Sequence, residues 1–123
     1  LGYPATRAQV ARRLAALESA PAHAVWVAED DAGNVVGWLH AACCLHLADD
    51  EEVEILGLVV AASVRGQGVG TQLLRRAERF AAESGAPRIR VRSRSDRERA
   101  HGFYALAGYS RTKVQLVLDK HAD

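Results

Sequence analysis

Between an apolar run, Ile55 to Val60, and a long amphipathic pattern that opens at Thr71, the chain reads Arg65-Gly66-Gln67-Gly68-Val69-Gly70. Glycine at every second position strips one turn of backbone of nearly all its Cβ atoms. Such a segment bends sharply and brings its N–H groups against a ligand. A helix follows at once, adding the unpaired N–H groups of its first turn and the positive end of its dipole. Strand, glycine turn and helix start together make an anion site, most often for phosphate. Two common versions are excluded. The dinucleotide fingerprint G-x-G-x-x-G fails because Leu73 stands where its last glycine would fall, counting from Gly68. The nucleoside-triphosphate loop fails because Gly70 is followed by Thr71-Gln72 and not by lysine. What is left is a phosphate cradle that uses neither lysine nor metal. A plain connecting turn would not need this many glycines and an arginine at a helix start.

The rest of the chain supplies a frame for that cradle. Thr6 and Gln9 form a capping-box pattern, after which Val10, Leu14 and Leu17 fall on one helical face. His23 to Glu29 reads as a strand, Asp31-Ala32-Gly33-Asn34 as a tight turn, and Val35 to Leu45 as the partner strand of a hairpin. Glu51 to Val60 is a further strand, and Gly57 inside it marks a bulge or a close backbone approach. From Thr71 to Ser84 the spacing predicts a helix with Leu73, Leu74, Ala77, Phe80 and Ala81 on its apolar side, closed by Gly85 and kept closed by Pro87. Arg88 to Ser93 reads as a strand, Arg97 to Ala107 as a short helix, and Tyr109 to Leu118 as one or two final strands. Strand–helix–strand over residues 55 to 91 implies a parallel pair joined by a right-handed crossover. Hairpins account for the remainder, so the expected fold is mixed α/β with a largely antiparallel sheet.

Two segments carry a family resemblance. Arg65-x-x-Gly68-x-Gly70 after Leu58-Val59-Val60 resembles the coenzyme A pyrophosphate loop of the GNAT superfamily of acyl-CoA-dependent N-acyltransferases. Ala100-His101-Gly102-Phe103-Tyr104-Ala105-Leu106-Ala107-Gly108-Tyr109 is similar to that family's later A-x-x-F-Y-x-x-x-G-F/Y segment. The resemblance runs from about Val25 to the C-terminus and implies one GNAT-like domain over residues 1–123, with a mixed, largely antiparallel central sheet flanked by helices. One departure stands at the start. The family begins with a strand and a helix ahead of the point where this chain starts, whereas Leu1-Gly2-Tyr3-Pro4 leads into the equivalent of its second helix. Either that first strand is lost or lies outside this sequence, or a segment of another chain covers the exposed edge, as in a homodimer.

The resemblance also implies chemistry. Acetyl-CoA is the expected co-substrate, and no metal is expected. The backbone of Leu58, Val59 and Val60 should pair with the pantetheine arm, with the Val60 N–H a candidate oxyanion donor. Arg65, Gly66, Gln67, Gly68, Val69, Gly70 and Thr71 would hold the pyrophosphate. Glu54 falls where the family often places a general base, acting directly or through water, with Glu52 on the same strand face in reserve. The alternative for Glu54 is a solvent-facing glutamate on a half-exposed strand. Tyr104 matches the family tyrosine that reaches the coenzyme sulfur and protonates the departing thiolate. Phe103 beside it takes the packing role. The family often has an asparagine after the next strand; Ser93-Arg94 stands there instead, and Arg94 is a substitute for reaching a phosphate.

Other features bound the reading. The net charge is +1, which implies no global electrostatic partner. No apolar run is long enough for a bilayer and the N-terminus has no signal-peptide pattern, so no membrane partner is expected. Cys43 and Cys44 are adjacent, so on a strand they point to opposite faces and do not staple the fold, which favours a reducing cytoplasm. Arg88, Arg90, Arg92 and Arg94 alternate along one strand face, as a solvated or ion-paired face or as a site for an acidic substrate. Nucleic acid is disfavoured by the small net charge and the lack of interleaved aromatics. His40, Cys44 and His46 share a strand parity, but no further ligand at metal spacing follows, so they are expected to pack near the acceptor cleft. Asp49, Asp50, Glu51 and Glu52 crowd the loop before Glu54 and would draw a cationic amine. The acceptor is therefore an amine of a small molecule (aminoglycoside-like and polyamine included) or of a peptide. The reading that follows is N-acetyl transfer from acetyl-CoA by direct attack in a ternary complex; the alternative is a non-catalytic acyl-CoA-binding or regulatory module.

Overall fold

The computed structural model describes residues 5–122. Helix α1 (Arg7–Glu18) is followed by strands β1 (His23–Glu29), β2 (Val35–Cys44) and β3 (Glu52–Val60), a short 3-10 turn (Ala62–Val64), helix α2 (Val69–Ser84), strand β4 (Arg88–Val91) and helix α3 (Glu98–Leu106). These elements fall into two compact units, the first ending at Arg92 and the second beginning at Ser93.

In the first unit the strands lie in the order β1-β2-β3-β4. β1–β2 and β2–β3 pair antiparallel, and β3–β4 pair in parallel across α2. The sheet is thus mixed and largely antiparallel. Local chemistry sets its boundaries. Thr6 Oγ1 accepts from the Gln9 N–H at 3.1 Å while Gln9 Oε1 accepts from the Thr6 N–H at 3.0 Å, the reciprocal cap that starts α1. Asp30 Oδ1 accepts from the N–H groups of Ala32 and Asn34, folding the β1–β2 turn. α2 ends at Gly85, whose left-handed φ of 74° lets the Ala86 N–H return to the Ala81 carbonyl.

α2 lies over β2 and β3. Its Leu73, Leu74, Ala77 and Ala81 are buried together with Leu39, Ala41, Val53 and Ile55 of the sheet, and Phe80 meets Trp26 of β1 edge-on at 5.7 Å. Burying each of the larger side chains stabilises the fold by roughly 1.5–3 kcal/mol. The opposite sheet face, by alternation, carries His23, Trp38, His40, Ala42, Cys44, Glu52 and Glu54.

Two expectations need correction. α2 begins two residues before Thr71, at Val69, because Gly68 takes a left-handed φ of 83° and turns the chain into the helix sooner. Gly70 therefore belongs to the first helical turn. In the second unit, residues 109–122 contain no strand. Val114, Leu116, Val117 and Leu118 have the composition of a strand but are 75–88% exposed, so they gain little of the side-chain packing on which strand preference rests. Leu1 to Pro4, expected to lead into α1, lie outside the described residues.

Candidate coenzyme and active site

The site begins where β4 stops. Parallel pairing runs only from Glu52↔Arg88 to Ile55↔Val91, while β3 continues to Val60. Among the described residues, β3 from Leu56 onward is paired on its β2 side alone. A register shift between His40 and Ala41 adds one residue to β3 at this point, Leu56, since Ile55 faces Ala41 and Gly57 faces His40. The expected bulge is present, and it lies where the parallel strands part. Gly57 has a second duty: a Cβ on it would stand 2.7 Å from Cζ3 of Trp38, so the indole lies directly on its backbone.

Which peptide groups face the gap follows from antiparallel alternation. The Ala61 N–H donates to the Val36 carbonyl at 2.8 Å, so Ala61 turns its polar groups toward β2. Val60 then turns its N–H and C=O away from β2, Val59 turns its own back toward Trp38, and Leu58 turns outward again. Leu58 and Val60 offer donors and acceptors to the open edge; Val59 does not.

The chain then enters the glycine turn. Arg65 (φ −61°, ψ 144°) and Gly66 (φ 81°) form a type II turn closed by the Gln67 N–H to the Val64 carbonyl at 3.3 Å. Gly68 follows at φ 83°, and a Cβ on Gly66 or Gly68 would meet nothing within 4 Å. Both glycines are there for backbone conformation, not for want of room. The Gln72 N–H to the Gly68 carbonyl is the first bond of the α2 ladder, so the N–H groups of Val69, Gly70 and Thr71 precede it. Open strand edge, left-handed turn and bare helix start are consecutive in the chain, an arrangement that can pair with an extended group and hold an anion at its end.

The carboxylates divide sharply. Glu52 is fully buried: Oε2 meets Arg88 Nε at 2.9 Å and Arg90 Nη1 at 3.4 Å, and Oε1 meets His46 Nε2 at 3.2 Å. Burial alone would raise its pKa, but the Arg88 hydrogen bond, the Arg90 charge and the His46 contact outweigh that and hold it below the usual value. This is a structural anion. Glu54, 16% exposed, accepts from Arg92 Nε at 3.2 Å and keeps access to solvent. Asp49 takes the other side of Arg88 at 3.0 Å and Glu51 lies 3.5 Å from the Cys43 thiol, so most of the acidic loop is engaged in local pairs. The arginine series is the ion-paired face: Arg88, Arg90 and Arg92 meet Glu52 and Glu54. In the second unit Arg94 pairs with Asp96 at 3.0 Å.

The histidines do not assemble as strand parity suggested. His46 binds Glu52, whereas His40 pairs with His23. Among the described residues no group of His, Cys, Asp and Glu is arranged to hold a metal ion. Cys43 and Cys44 are free thiols, and burial first, then nearby carboxylates, raises both above the ordinary thiol value. His23 was missed from sequence; its partner is set by hairpin register, which no single motif encodes. In the second unit Tyr104 sits on α3, half-buried, with its ring edge-on to Phe103 at 5.2 Å and to Tyr109 at 5.7 Å. Phe103 is buried to a similar degree, so the two do not separate into a core and an exposed partner.

Comparison with known proteins settles the family. The family model described as the acetyltransferase (GNAT) family matches residues 2–109. This chain belongs to the GNAT acetyltransferase family. Among curated GNAT relatives, an aminoalkylphosphonate N-acetyltransferase of Salmonella typhimurium is 37% identical over 86 residues, which is 69% of this chain and 56% of that protein. The chain thus spans little more than half the length of that relative. The aminoglycoside 6'-N-acetyltransferase AAC(6')-IG of Acinetobacter haemolyticus shares the fold, with a TM-score of 0.84 at 18% identity over 98% of this chain and 86% of that one. So does AAC(6')-Iy, solved in complex with the bisubstrate analogue CoA-S-monomethyl-acetylneamine, with a TM-score of 0.81 at 21% identity over 98% of this chain and 83% of that one. Among the described residues no helix is long and apolar enough to cross a membrane.

Proposed function

We propose that this GNAT protein transfers an acetyl group from acetyl-CoA to a primary amine by direct attack in a ternary complex. The observation that carries the proposal is the open edge of β3, continuous with two left-handed glycines and the start of α2. Leu58 and Val60 would bond the pantetheine arm as a strand neighbour would, the Val60 N–H would receive charge developing on the thioester oxygen, and Arg65 to Thr71 would hold the pyrophosphate. Glu54 receives the ammonium and takes its proton, directly or through water. Tyr104 gives a proton to the departing thiolate. Direct attack is supported by the raised thiol pKa values, since neither cysteine is held as the thiolate an acyl-enzyme would need.

For the acceptor, the curated relative's aminoalkylphosphonate is the first class to test. Arg92, at the rim of the face that holds Glu54 and half-exposed, supports an amine that also bears an anion. The test is calorimetry with acetyl-CoA followed by thiol release with 2-aminoethylphosphonate, an aminoglycoside, a polyamine and a peptide N-terminus. Binding with release on one amine sustains the proposal. Binding without release on any amine identifies a coenzyme-binding module instead.

A further inference from the structure

A pair of imidazoles lies on the sheet face of Glu54 and has no part in the site described so far. His23 Nδ1 and His40 Nε2 are 2.9 Å apart, and the rings stack with centroids 5.1 Å apart and planes 29° apart. The register explains the arrangement. His23 of β1 and Glu54 of β3 both stand directly opposite Ala42 of β2, one on each side. His40 lies two residues along β2 from Ala42, so all these side chains rise from one face. Ala42, 4% exposed, stands between His23 and Glu54 on this face. On a regular ladder such diagonal neighbours are roughly 7–8 Å apart; here the extra residue of β3, Leu56, lies between the rungs of Glu54 and His40. His40 is also the ladder partner of Gly57, next to the bulge beyond which the edge of β3 opens.

We propose that His40 and His23 form a proton relay that takes the proton lost by the acceptor amine at Glu54 and delivers it to solvent. This rests on the acetyl-transfer reading above. The ammonium gives its proton to the Glu54 carboxylate, leaving a neutral amine to attack the thioester. Through one bridging water, which gives up one proton as it takes another, that proton passes to the lone pair of His40 Nδ1. As it arrives, the Nε2–H of His40 moves to Nδ1 of His23, and the Nε2–H of His23 leaves to water. Both rings finish neutral as their other tautomers and reset by exchange with water. A carboxylate is in general a weak base, and an imidazole is better matched to proton transfer near neutral pH. The titratable and charged groups around the pair are Cys44, Glu52, Glu54, Arg88, Arg90 and Arg92 on this sheet face, His46 beyond it, and Arg7, Arg12, Arg13 and Glu18 on α1, which packs against β1. Burial first, and then the charge of His23, holds His40 below the ordinary imidazole value, so its lone pair is available at neutral pH.

The test is single-turnover acetylation of 2-aminoethylphosphonate across the acid and neutral range, with acetyl-CoA affinity measured alongside. His40→Gln should slow transfer about 100-fold or more and remove the imidazole limb of the profile, with coenzyme affinity unchanged. His23→Gln should lose less and move the acid limb to higher pH, because His40 then returns toward its ordinary value. Imidazole 15N NMR of the wild type should show the hydrogen bond between His40 Nε2 and His23 Nδ1, a readout that stands even if His40→Gln does not fold. A His40→Gln protein with the wild-type rate at every pH, or two rings with no hydrogen bond between them, overturns the relay alone. A wild type that acetylates none of the amines overturns the acetyl-transfer reading and the relay together.

Discussion

Glu52→Gln should destabilise the protein substantially while leaving coenzyme binding intact. The Glu52 side chain is 0% exposed and meets Arg88, Arg90 and His46 at 2.9, 3.4 and 3.2 Å. Breaking a buried ion pair from one side typically destabilises by about 3–5 kcal/mol, because the partner charge stays behind. Two features reduce that here. Glutamine keeps one acceptor oxygen, and Arg88, 37% exposed, retains Asp49 at 3.0 Å. Arg90 is only 18% exposed and has less recourse to water. The expected loss at neutral pH is therefore roughly 2–3 kcal/mol, a fall in Tm on the order of 10 °C for a domain of this size. The pH dependence has a definite sign. The native pKa of Glu52 lies below its unfolded value, so its contribution is complete above the ordinary carboxylate range and disappears as pH falls through the native pKa. Urea unfolding of both proteins across acid and neutral pH, with calorimetry of acetyl-CoA binding, measures all of this. A difference under about 0.5 kcal/mol, the range of ordinary surface substitutions, or one that persists undiminished in strong acid, would refute the argument.

Gly68→Val should weaken acetyl-CoA binding severely, since a β-branched residue resists φ 83° even though its Cβ meets nothing within 4 Å; a folded variant with wild-type affinity in calorimetry would remove the loop from the site. Gly57→Ala should destabilise by about 1–3 kcal/mol by forcing Trp38 off the strand, read by urea unfolding and by a change in indole fluorescence. Glu54→Gln should leave stability and coenzyme affinity nearly unchanged and lower the transfer rate most at low pH; an unaltered pH–rate profile would assign the first proton transfer elsewhere. Tyr104→Phe should slow single-turnover thiol release by about 100- to 10,000-fold, and full retained activity would make this tyrosine a packing residue.

Where local pattern and tertiary environment agree, the sequence was readable. The apolar spacing of Leu73, Leu74, Ala77 and Ala81 marks the face of α2 that is buried, and Thr6 with Gln9 marks the start of α1. Gly57 announced its bulge because a glycine weakens an apolar strand unless the backbone needs it there. Glu52 and Glu54 show the limit. Parity places both on one face but says nothing of what covers that face, and one became a buried structural anion while the other kept solvent. The pairing of His23 with His40 depends on the register of a whole hairpin. Val114, Leu116, Val117 and Leu118 have the composition of a strand, but composition says nothing of what will cover those side chains, and they stay exposed.

The early end of β4 leaves β3 with a bare flank from Leu56 to Val60 among the described residues. A naked strand flank is a template for any extended chain that meets it. If the coenzyme arm lies there as proposed, the donor would double as a shield, and loading would matter to the protein's survival as well as to turnover. Donor at about a hundred times its dissociation constant would add roughly 2.7 kcal/mol to the folded state. A cell short of acyl donor would then hold this protein idle and also leave it adhesive and easier to unfold, so its abundance would follow the acyl supply without any dedicated regulator.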